Sequence, residues 1–257
     1  MLAFPQLVAY YSQQSLPARS ILVEYLQHEL LDSLYKQPGS EHLSFMGGTA
    51  LRIVYGGNRF SEDLDFDNFG LSFVDFKQVT SAILKDMTLK GFALEFRFVE
   101  KGAYHCYIKF PEILQQHGMA RHAKEKILVR IDTVQKERIF KPRVHTLNAF
   151  DIYRDIVVNP LDILLSQKLL AVLERKRARG RDFYDVSFLY GLTQPNQTYL
   201  EAITGQSMQA IQIAILERCA KLNFTTLARD VEPFLIKPDQ VQRVKSFQQF
   251  IHQQFSV

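Results

Sequence analysis

The fold is decided by the stretch Phe45-Met46-Gly47-Gly48-Thr49-Ala50-Leu51-Arg52. Leu43, Phe45 and Met46 predict a short apolar strand, which Gly47-Gly48 ends. Thr49 then occupies the position of an N-cap before an apolar helix. A strand, a glycine turn and a helix start together predict an anion site, because glycines let backbone N–H groups approach closely and the helix N-terminus carries partial positive charge.

A row of carboxylates follows, in Asn58-Arg59-Phe60-Ser61-Glu62-Asp63-Leu64-Asp65-Phe66-Asp67. Asp63, Asp65 and Asp67 alternate with Leu64 and Phe66, which predicts a strand with its acids on one face, about 6.6 Å apart. At that distance two carboxylates repel by about 2.5 kcal/mol at an effective dielectric of about 20. An exposed row means little, whereas a row in a cleft needs a proton or a cation. We favour Mg²⁺, which takes one or two carboxylates plus substrate phosphates.

These residues resemble the signature of the DNA polymerase β-like nucleotidyltransferase superfamily: Gly47-Gly48-Thr49, then Arg59-x-Ser61-x-Asp63-Leu64-Asp65-Phe66. More narrowly, they resemble the AbiEii/AbiGii toxin family, which includes the MenT-type toxins. The resemblance implies that the glycine turn holds an NTP triphosphate and that the D-x-D pair holds a divalent metal, Mg²⁺ or Mn²⁺. It extends over most of the chain, from the first predicted helix into the helical C-terminal half.

Composition bounds the class of protein. The 257 residues are 47% hydrophobic and 23% charged, as in an ordinary globular protein, and the net charge of +4 is compatible with a polyanionic partner without indicating one. No apolar run is long enough to span a bilayer, and the N-terminus lacks the features of a signal peptide. Cys106 and Cys219 are too few for a disulfide framework, so we expect a reducing, cytoplasmic location.

Hydrophobic periodicity predicts an α/β (α+β) core followed by helices. The core is predicted to contain helices at 18–37 and 73–90, strands at 92–99, 104–110 and 126–134, a hairpin at Lys101-Gly102 and, at 140–154, an irregular segment with possible short strands. Pro160 begins a mainly helical region with predicted helices at 160–177, 197–205, 207–221 and 238–255. The resemblance implies a nucleotidyltransferase-type mixed sheet flanked by helices in domain 1–159, and a helical C-terminal domain, 160–257, that completes the active site.

Asp132 is an acid within the apolar strand predicted at 126–134. It is either a strand-end residue that pairs with Arg130 or caps a turn, or a third metal-binding carboxylate. The resemblance implies the second role, because superfamily members carry such an acid on a neighbouring strand. Alternation supports that role only weakly, so both interpretations stay open.

Lys168 projects from the apolar face of the helix predicted at 160–177, which Leu161, Leu164 and Leu165 also line. A lysine in that position either extends its ammonium group to solvent or meets an anion. The resemblance implies a functional lysine at this position that contacts the NTP phosphates.

A basic run, Arg175-Lys176-Arg177-Ala178-Arg179-Gly180-Arg181, precedes a second acidic pair. The run is either a solvated helix end or a contact for RNA or triphosphate. Asp182 can N-cap the next helix, a role that does not explain Asp185. The string Arg181-Asp182-x-Tyr184-Asp185 resembles the R-D-x-x-D motif of the family, in which the second acid assists catalysis or orients the lysine.

The resemblance thus implies a Mg²⁺-dependent nucleotidyltransferase, the toxin of a toxin–antitoxin system, which transfers NMP from an NTP to an acceptor hydroxyl. The expected acceptor is a tRNA 3′ end, and a cognate antitoxin is the expected protein partner. The alternatives are a nucleotide- or RNA-binding module that is toxic by sequestration, and a transferase that acts on a protein or small-molecule hydroxyl.

The site residues implied for this chain fall into three groups. The catalytic residues are Asp63, Asp65, Lys168 and Asp185, and the metal ligands are Asp63, Asp65 and Asp132. The substrate-binding residues are Gly47, Gly48, Thr49, Arg52, Arg59, Ser61, Lys168, Arg181 and Asp182. Arg52 and Arg59 have a structural alternative, a pairing with Asp67 or Glu62 alone.

Overall fold

The computed structural model describes residues 2–11, 16–120, 122, 124–137 and 139–255. The chain forms two compact units. The sheet unit comprises residues 1–56, 61–138 and 142–158, and the helical unit comprises residues 57–60, 139–141 and 159–257. No helix within the described ranges is long and apolar enough to cross a membrane.

The described residues of the sheet unit form five α-helices and seven strands. In chain order they are α1 Phe4–Ala9, α2 Ala18–Leu34, β1 Leu43–Met46, α3 Gly47–Ile53, β2 Leu64–Asn68, α4 Phe73–Leu89, β3 Glu95–Glu100, β4 Tyr104–Phe110, α5 Ile113–Gln116, β5 Ile127–Gln135, β6 Arg143–Ala149 and β7 Ile152–Val158. A 3-10 turn at Ser40–His42 precedes β1.

The seven strands form one sheet in the order β3-β4-β5-β2-β1-β7-β6. Strand β2 pairs parallel with β5, and β1 pairs parallel with β7, while the other neighbours are antiparallel. The predicted mixed sheet flanked by helices is therefore confirmed. One of its two parallel pairs joins β2 and β5, the strands that carry Asp65 and Asp132.

The core of the sheet unit follows the predicted periodicity. Helix α2 buries Leu22, Leu26 and Leu30 completely, and α4 buries a comparable apolar set. The rings of Phe45 on β1 and Phe66 on β2 lie 5.4 Å apart. The apolar members of the alternating strands thus face this core, which leaves their polar members for the opposite face.

Residues 140–154, predicted as irregular with possible short strands, do contain strands and form most of the hairpin of β6 and β7. Its two turn residues, Phe150 and Asp151, both have positive φ, 55° and 63°. Two-residue turns of this kind normally carry Asn-Gly or Asp-Gly, so the sequence gives no turn signal here. Phe150 is instead fixed by packing, since its buried ring contacts the rings of Tyr25 and His28.

In the helical unit, the part of the chain that the structure describes forms seven α-helices. They are α6 Leu161–Glu174, α7 Gly180–Leu189, α8 Gln197–Thr204, α9 Met208–Ala220, α10 Phe224–Val231, α11 Gln242–Lys245 and α12 Phe247–Phe255, with 3-10 turns at Glu232–Phe234 and Pro238–Val241. The sequence did not predict α10, and the single helix predicted at 238–255 is wrong, because that segment is divided at Ser246.

Residues 57–60 join the helical unit through backbone hydrogen bonds. Phe60 N–H donates to the Phe234 carbonyl at 2.8 Å, and Ile236 N–H donates to the Asn58 carbonyl at 3.0 Å. These bonds form an isolated antiparallel bridge between Arg59 and Leu235. The bridge fixes the backbone from which the Arg59 side chain extends.

Candidate active site

The glycine turn lies at the junction of β1 and α3. Helix α3 begins at Gly47, so the N-cap is Met46 and the predicted N-cap role of Thr49 is wrong. Thr49 is fully buried, and its hydroxyl donates to the backbone carbonyl of Asp63. That bond ties the turn to the residue that precedes β2.

Two features of position 47 require glycine: its backbone conformation and the close approach of a neighbouring side chain. Its φ is +77°, in the region that favours glycine, and an added Cβ would overlap the carboxylate of Asp65 and stand 3.0 Å from Asp65 Cβ. The backbone of the turn therefore lies directly against the Asp65 side chain. No other amino acid fits this position without displacing that carboxylate.

The three predicted metal ligands come together on neighbouring strands. Asp65 on β2 lies opposite Asp132 on β5, and Asp63 directly precedes β2, one residue before the pair of Leu64 and Ile131. Neighbouring strands are about 4.8 Å apart, so the backbones of Asp65 and Asp132 are close. Asp67, the third acid of the row, is buried with 1% exposure.

Two of these carboxylates are held by other side chains. Arg130 pairs with Asp63, and its Nη2 also lies 3.5 Å from Asp132 Oδ2. His105 Nδ1 lies 2.8 Å from Asp132 Oδ1. The hydrogen bond to Asp63 raises the pKa of Arg130 above its usual value. Both interpretations of Asp132 therefore keep support: it pairs weakly with Arg130, and it is the strand neighbour of Asp65.

The donor set fits a hard divalent cation. Carboxylate oxygens on adjacent strands are the ligands that Mg²⁺ takes, and one or two are sufficient when substrate phosphates and water supply the others. Among the described residues no three His, Cys, Asp or Glu side chains are already arranged to hold a metal ion. Arg130 and His105 engage oxygens of Asp63 and Asp132.

The second set of predicted residues lies in the helical unit, around Lys168. Lys168 Nζ is 3.0 Å from Asp182 Oδ1 and 2.8 Å from Asp185 Oδ2. Burial alone would lower the pKa of Lys168, but Asp185 and Asp182 outweigh it and raise that pKa. The lysine on the inward face of α6 therefore contacts anions and stays charged. This is the second of the two alternatives that the sequence left open, the first being an ammonium group extended to solvent.

Asp182 is the third residue of α7, so its predicted N-cap role is wrong. The first N–H of that helix, on Gly180, donates instead to Asp230 Oδ2 at 2.9 Å. Asp182 pairs with Lys168 and with Arg175, whose Nε lies 3.0 Å from Asp182 Oδ2. Arg175, from the basic run, is thus a structural partner of a buried acid.

Arg59 makes the other ion pair of this cluster. Its Nε and Nη2 each donate to one oxygen of Asp185 at 2.6 Å, and both side chains are almost fully buried. The predicted pairing with Asp67 or Glu62 is therefore wrong. Burial alone would raise the pKa of Asp185, but Arg59 and Lys168 outweigh it and lower that pKa. The sequence could not show this pair, because its members are 126 residues apart.

The remaining predicted substrate-binding residues have other surroundings. Arg52 Nε donates to Glu24 Oε2 at 2.9 Å, a partner other than the predicted Asp67 or Glu62. The backbone carbonyl of Ser61 accepts a hydrogen bond of 2.9 Å from Gln27. Arg181 is half-buried at the second residue of α7. Their phosphate roles stay predictions.

Comparison with known proteins now decides the family. Residues 29–251 match the family described as nucleotidyl transferase AbiEii toxin, type IV toxin–antitoxin system. The chain belongs to this family. The resemblance found in the sequence is confirmed, and the protein is a nucleotidyltransferase of a toxin family. Membership implies an NTP substrate and an antitoxin partner.

Solved structures share the fold at low identity. MenT4, a nucleotidyltransferase toxin from Mycobacterium tuberculosis, is 15% identical with a TM-score of 0.61, covering 98% of this chain and 90% of its own. A candidate nucleotidyltransferase from Helicobacter pylori is 18% identical with a TM-score of 0.57, covering 93% and 97%. JHP933, also from H. pylori, is 18% identical with a TM-score of 0.54, covering 94% and 95%. No curated protein sequence matches the chain.

Proposed function

We propose that this AbiEii nucleotidyltransferase transfers NMP from an NTP to the 3′ end of tRNA in the cytoplasm, in a reaction that depends on Mg²⁺ or Mn²⁺. One observation carries the proposal: Asp65 lies opposite Asp132 on parallel strands, with Asp63 two residues before Asp65 and Gly47 against the Asp65 carboxylate. Pure binding of a polyanion gives no reason to gather three carboxylates, whereas phosphoryl chemistry with a metal does.

In the sheet unit, Asp63 and Asp65 would hold the divalent metal, with Asp132 as a third ligand. The bound metal would neutralise phosphate charge and lower the pKa of the attacking hydroxyl. Gly47, Gly48 and Thr49 would bind the triphosphate through the turn. The bond from Thr49 to the Asp63 carbonyl fixes the turn relative to the carboxylates, and positioning of this kind supplies a large part of the rate in group transfer.

In the helical unit, Lys168 would contact the phosphates and stabilise negative charge that develops on the leaving pyrophosphate. Its ammonium group is held by Asp182 and Asp185 and stays protonated, because both carboxylates raise its pKa. Asp185 orients the lysine and is itself fixed by Arg59. We assign to Arg59 the role of a positioning residue.

The test is incubation of the purified protein with Mg²⁺, each α-³²P-labelled NTP in turn, and total tRNA. We expect label in tRNA with the wild type and none with Asp65→Asn, a change that removes the charge of one carboxylate and keeps its size. The matched control is Asp155→Asn, which neutralises an exposed aspartate on β7 of the same sheet and should leave transfer unchanged.

Three outcomes separate the alternatives. Full transfer by Asp65→Asn would remove the metal assignment. Label on a protein or a small molecule in a cell extract, with none in tRNA, would keep the chemistry and replace the acceptor. Growth inhibition that persists in Asp65→Asn with no transfer would indicate toxicity by sequestration.

A further inference from the structure

One face of the sheet carries a row of charged and aromatic side chains that leads to the carboxylates. Arg97 on the edge strand β3 lies opposite Tyr107 on β4, and Tyr107 lies opposite Arg130 on β5. The next strand is β2, preceded by Asp63, which pairs with Arg130. We call Arg97, Tyr107 and Arg130 the arginine–tyrosine row.

The two guanidinium groups of the arginine–tyrosine row also lie close to the ring of Tyr107. The guanidinium carbon of Arg97 lies 4.5 Å from the centre of the Tyr107 ring, and that of Arg130 lies 5.9 Å from it. Both distances are within the range of cation–π attraction. Lys109, two residues after Tyr107 on β4, points to the same face and is exposed.

The outer half of the row is open to solvent. Arg97 is exposed and Tyr107 is half-buried. A cavity of about 110 Å³ lies beside them, lined by Glu95, Phe96, Arg97, Tyr107 and Lys109. The Glu95 carboxylate there is paired with Lys126, at 2.5 Å, so the cavity keeps the positive charge of Arg97 and Lys109.

This combination of groups matches single-stranded RNA. Unpaired bases stack on tyrosine rings and on guanidinium planes, while Arg and Lys contact the phosphates. From β3 to β2 there are three strand spacings of about 4.8 Å, so the distance along the row from Arg97 to Asp63 is about 14 Å. That length accommodates a few nucleotides ahead of a reacting terminal hydroxyl. An acidic protein segment would use the cations but would not need the stacked ring beside them.

We propose that the arginine–tyrosine row, together with Lys109, binds the single-stranded 3′ segment of the acceptor RNA. The segment lies along the row with its terminal hydroxyl toward Asp63 and Asp65. This inference rests on the proposed function, since it assigns a place to the acceptor of that reaction.

Binding can be measured apart from transfer. The probe is a fluorescent oligoribonucleotide hairpin with a single-stranded 3′ extension, titrated with protein in EDTA without NTP and followed by anisotropy. We expect Arg97→Ala and Tyr107→Ala each to raise Kd about tenfold, the size of one lost stacking or phosphate contact. Tyr107→Phe keeps the ring and should stay within about twofold of the wild type.

The matched control is Lys85→Ala, which removes one exposed positive charge from α4 and should leave Kd within about twofold. Equal weakening by Lys85→Ala and Arg97→Ala would overturn the proposal, because the effect would then be net charge alone. An unchanged Kd in Arg97→Ala, whose exposed side chain is not needed for folding, would also overturn it.

The two proposals fail separately. If the wild type labels tRNA but the row variants bind the probe normally, this inference is wrong and the proposed function stands. If binding depends on Arg97 and Tyr107 but no RNA is labelled, the surface stands and the proposed reaction is wrong. Label on a protein, with no RNA binding by the wild type, overturns both.

Discussion

Arg59 and Asp185 form a buried ion pair next to Lys168. The pair is bidentate and almost fully buried, and Asp185 in turn contacts Lys168. Only a guanidinium group supplies two parallel donors to one carboxylate, so a lysine at position 59 would not reproduce the contact. The orientation of Lys168 thus depends on a residue 109 positions earlier in the chain.

We predict that Arg59→Gln lowers the free energy of unfolding by about 3 kcal/mol, because it leaves a charged group buried without its partner. Urea denaturation measures the change. The double variant Arg59→Gln, Asp185→Asn should lose less than the sum of the single losses, since the second change removes the unpaired charge. Arg229→Gln, at an exposed position of α10, is the control and should stay within about 0.5 kcal/mol. Additive losses in the double variant would contradict the direct pairing.

Gly47 offers a second prediction at this scale. Gly47→Ala meets both the positive φ and the Asp65 side chain, whereas Gly102→Ala meets only a positive φ, +66°, with open space around the new Cβ. We expect Gly102→Ala to cost about 1 kcal/mol in urea denaturation and to keep transfer activity. Gly47→Ala should cost more and abolish transfer, because Asp65 must move. Equal stability and activity in the two variants would show that the contact with Asp65 is unimportant.

Among the elements, those with strict periodicity were predictable. Helices α2 and α4 and strands β4 and β5 lie within a few residues of their predicted bounds, because each buries an unbroken apolar set on one face. The sequence could also name Asp63, Asp65 and Lys168 as candidates. It could not show that β5 lies beside β2, nor that Arg130 and His105 hold two of the acids, since strand order and such contacts arise only from tertiary packing.

Where β6 and β7 form a hairpin, the sequence predicted only possible short strands, for a reason that can be tested. Its turn is held by the packing of Phe150, at φ 55°, and not by turn-forming residues. Phe150→Ala should cost about 3 to 5 kcal/mol through the lost ring. Phe150→Gly should be more stable than Phe150→Ala by about 1 kcal/mol in urea denaturation, because glycine adopts positive φ without strain.

The control for this comparison is Ala149→Gly, on the neighbouring residue in β6, where glycine should instead destabilise by about 0.5 to 1 kcal/mol. If Phe150→Ala proved more stable than Phe150→Gly, the turn would have to adopt negative φ at position 150.

For the whole molecule, stability in acid depends on carboxylates that are ionised in the folded state. In the helical unit, Asp185 has a lowered pKa because Arg59 and Lys168 outweigh its burial. In the sheet unit, Asp32 on α2 accepts contacts from three cations: Lys36 at 2.6 Å, Lys90 at 2.9 Å and Arg154 at 3.0 Å. Burial alone would raise the pKa of Asp32, but these contacts lower it from 3.8 to about 2.

The lowered pKa of Asp32 predicts the direction of the pH dependence. Between pH 3.8 and about 2 the unfolded chain binds a proton at this carboxyl that the folded chain does not, so stability falls as pH falls through this window. The shift corresponds to about 2 kcal/mol, present in full above the window and lost below it. Asp32→Asn should therefore be less stable than the wild type at pH 7. Between pH 5 and pH 2 its free energy of unfolding should fall by about 2 kcal/mol less than that of the wild type. Urea denaturation at pH 7 and across that pH range measures both differences. An identical loss in both proteins would mean that the three cations do not lower the pKa of Asp32. The loss of stability in acid would then come from other carboxylates. Asp185 would be the first to test, with Asp185→Asn.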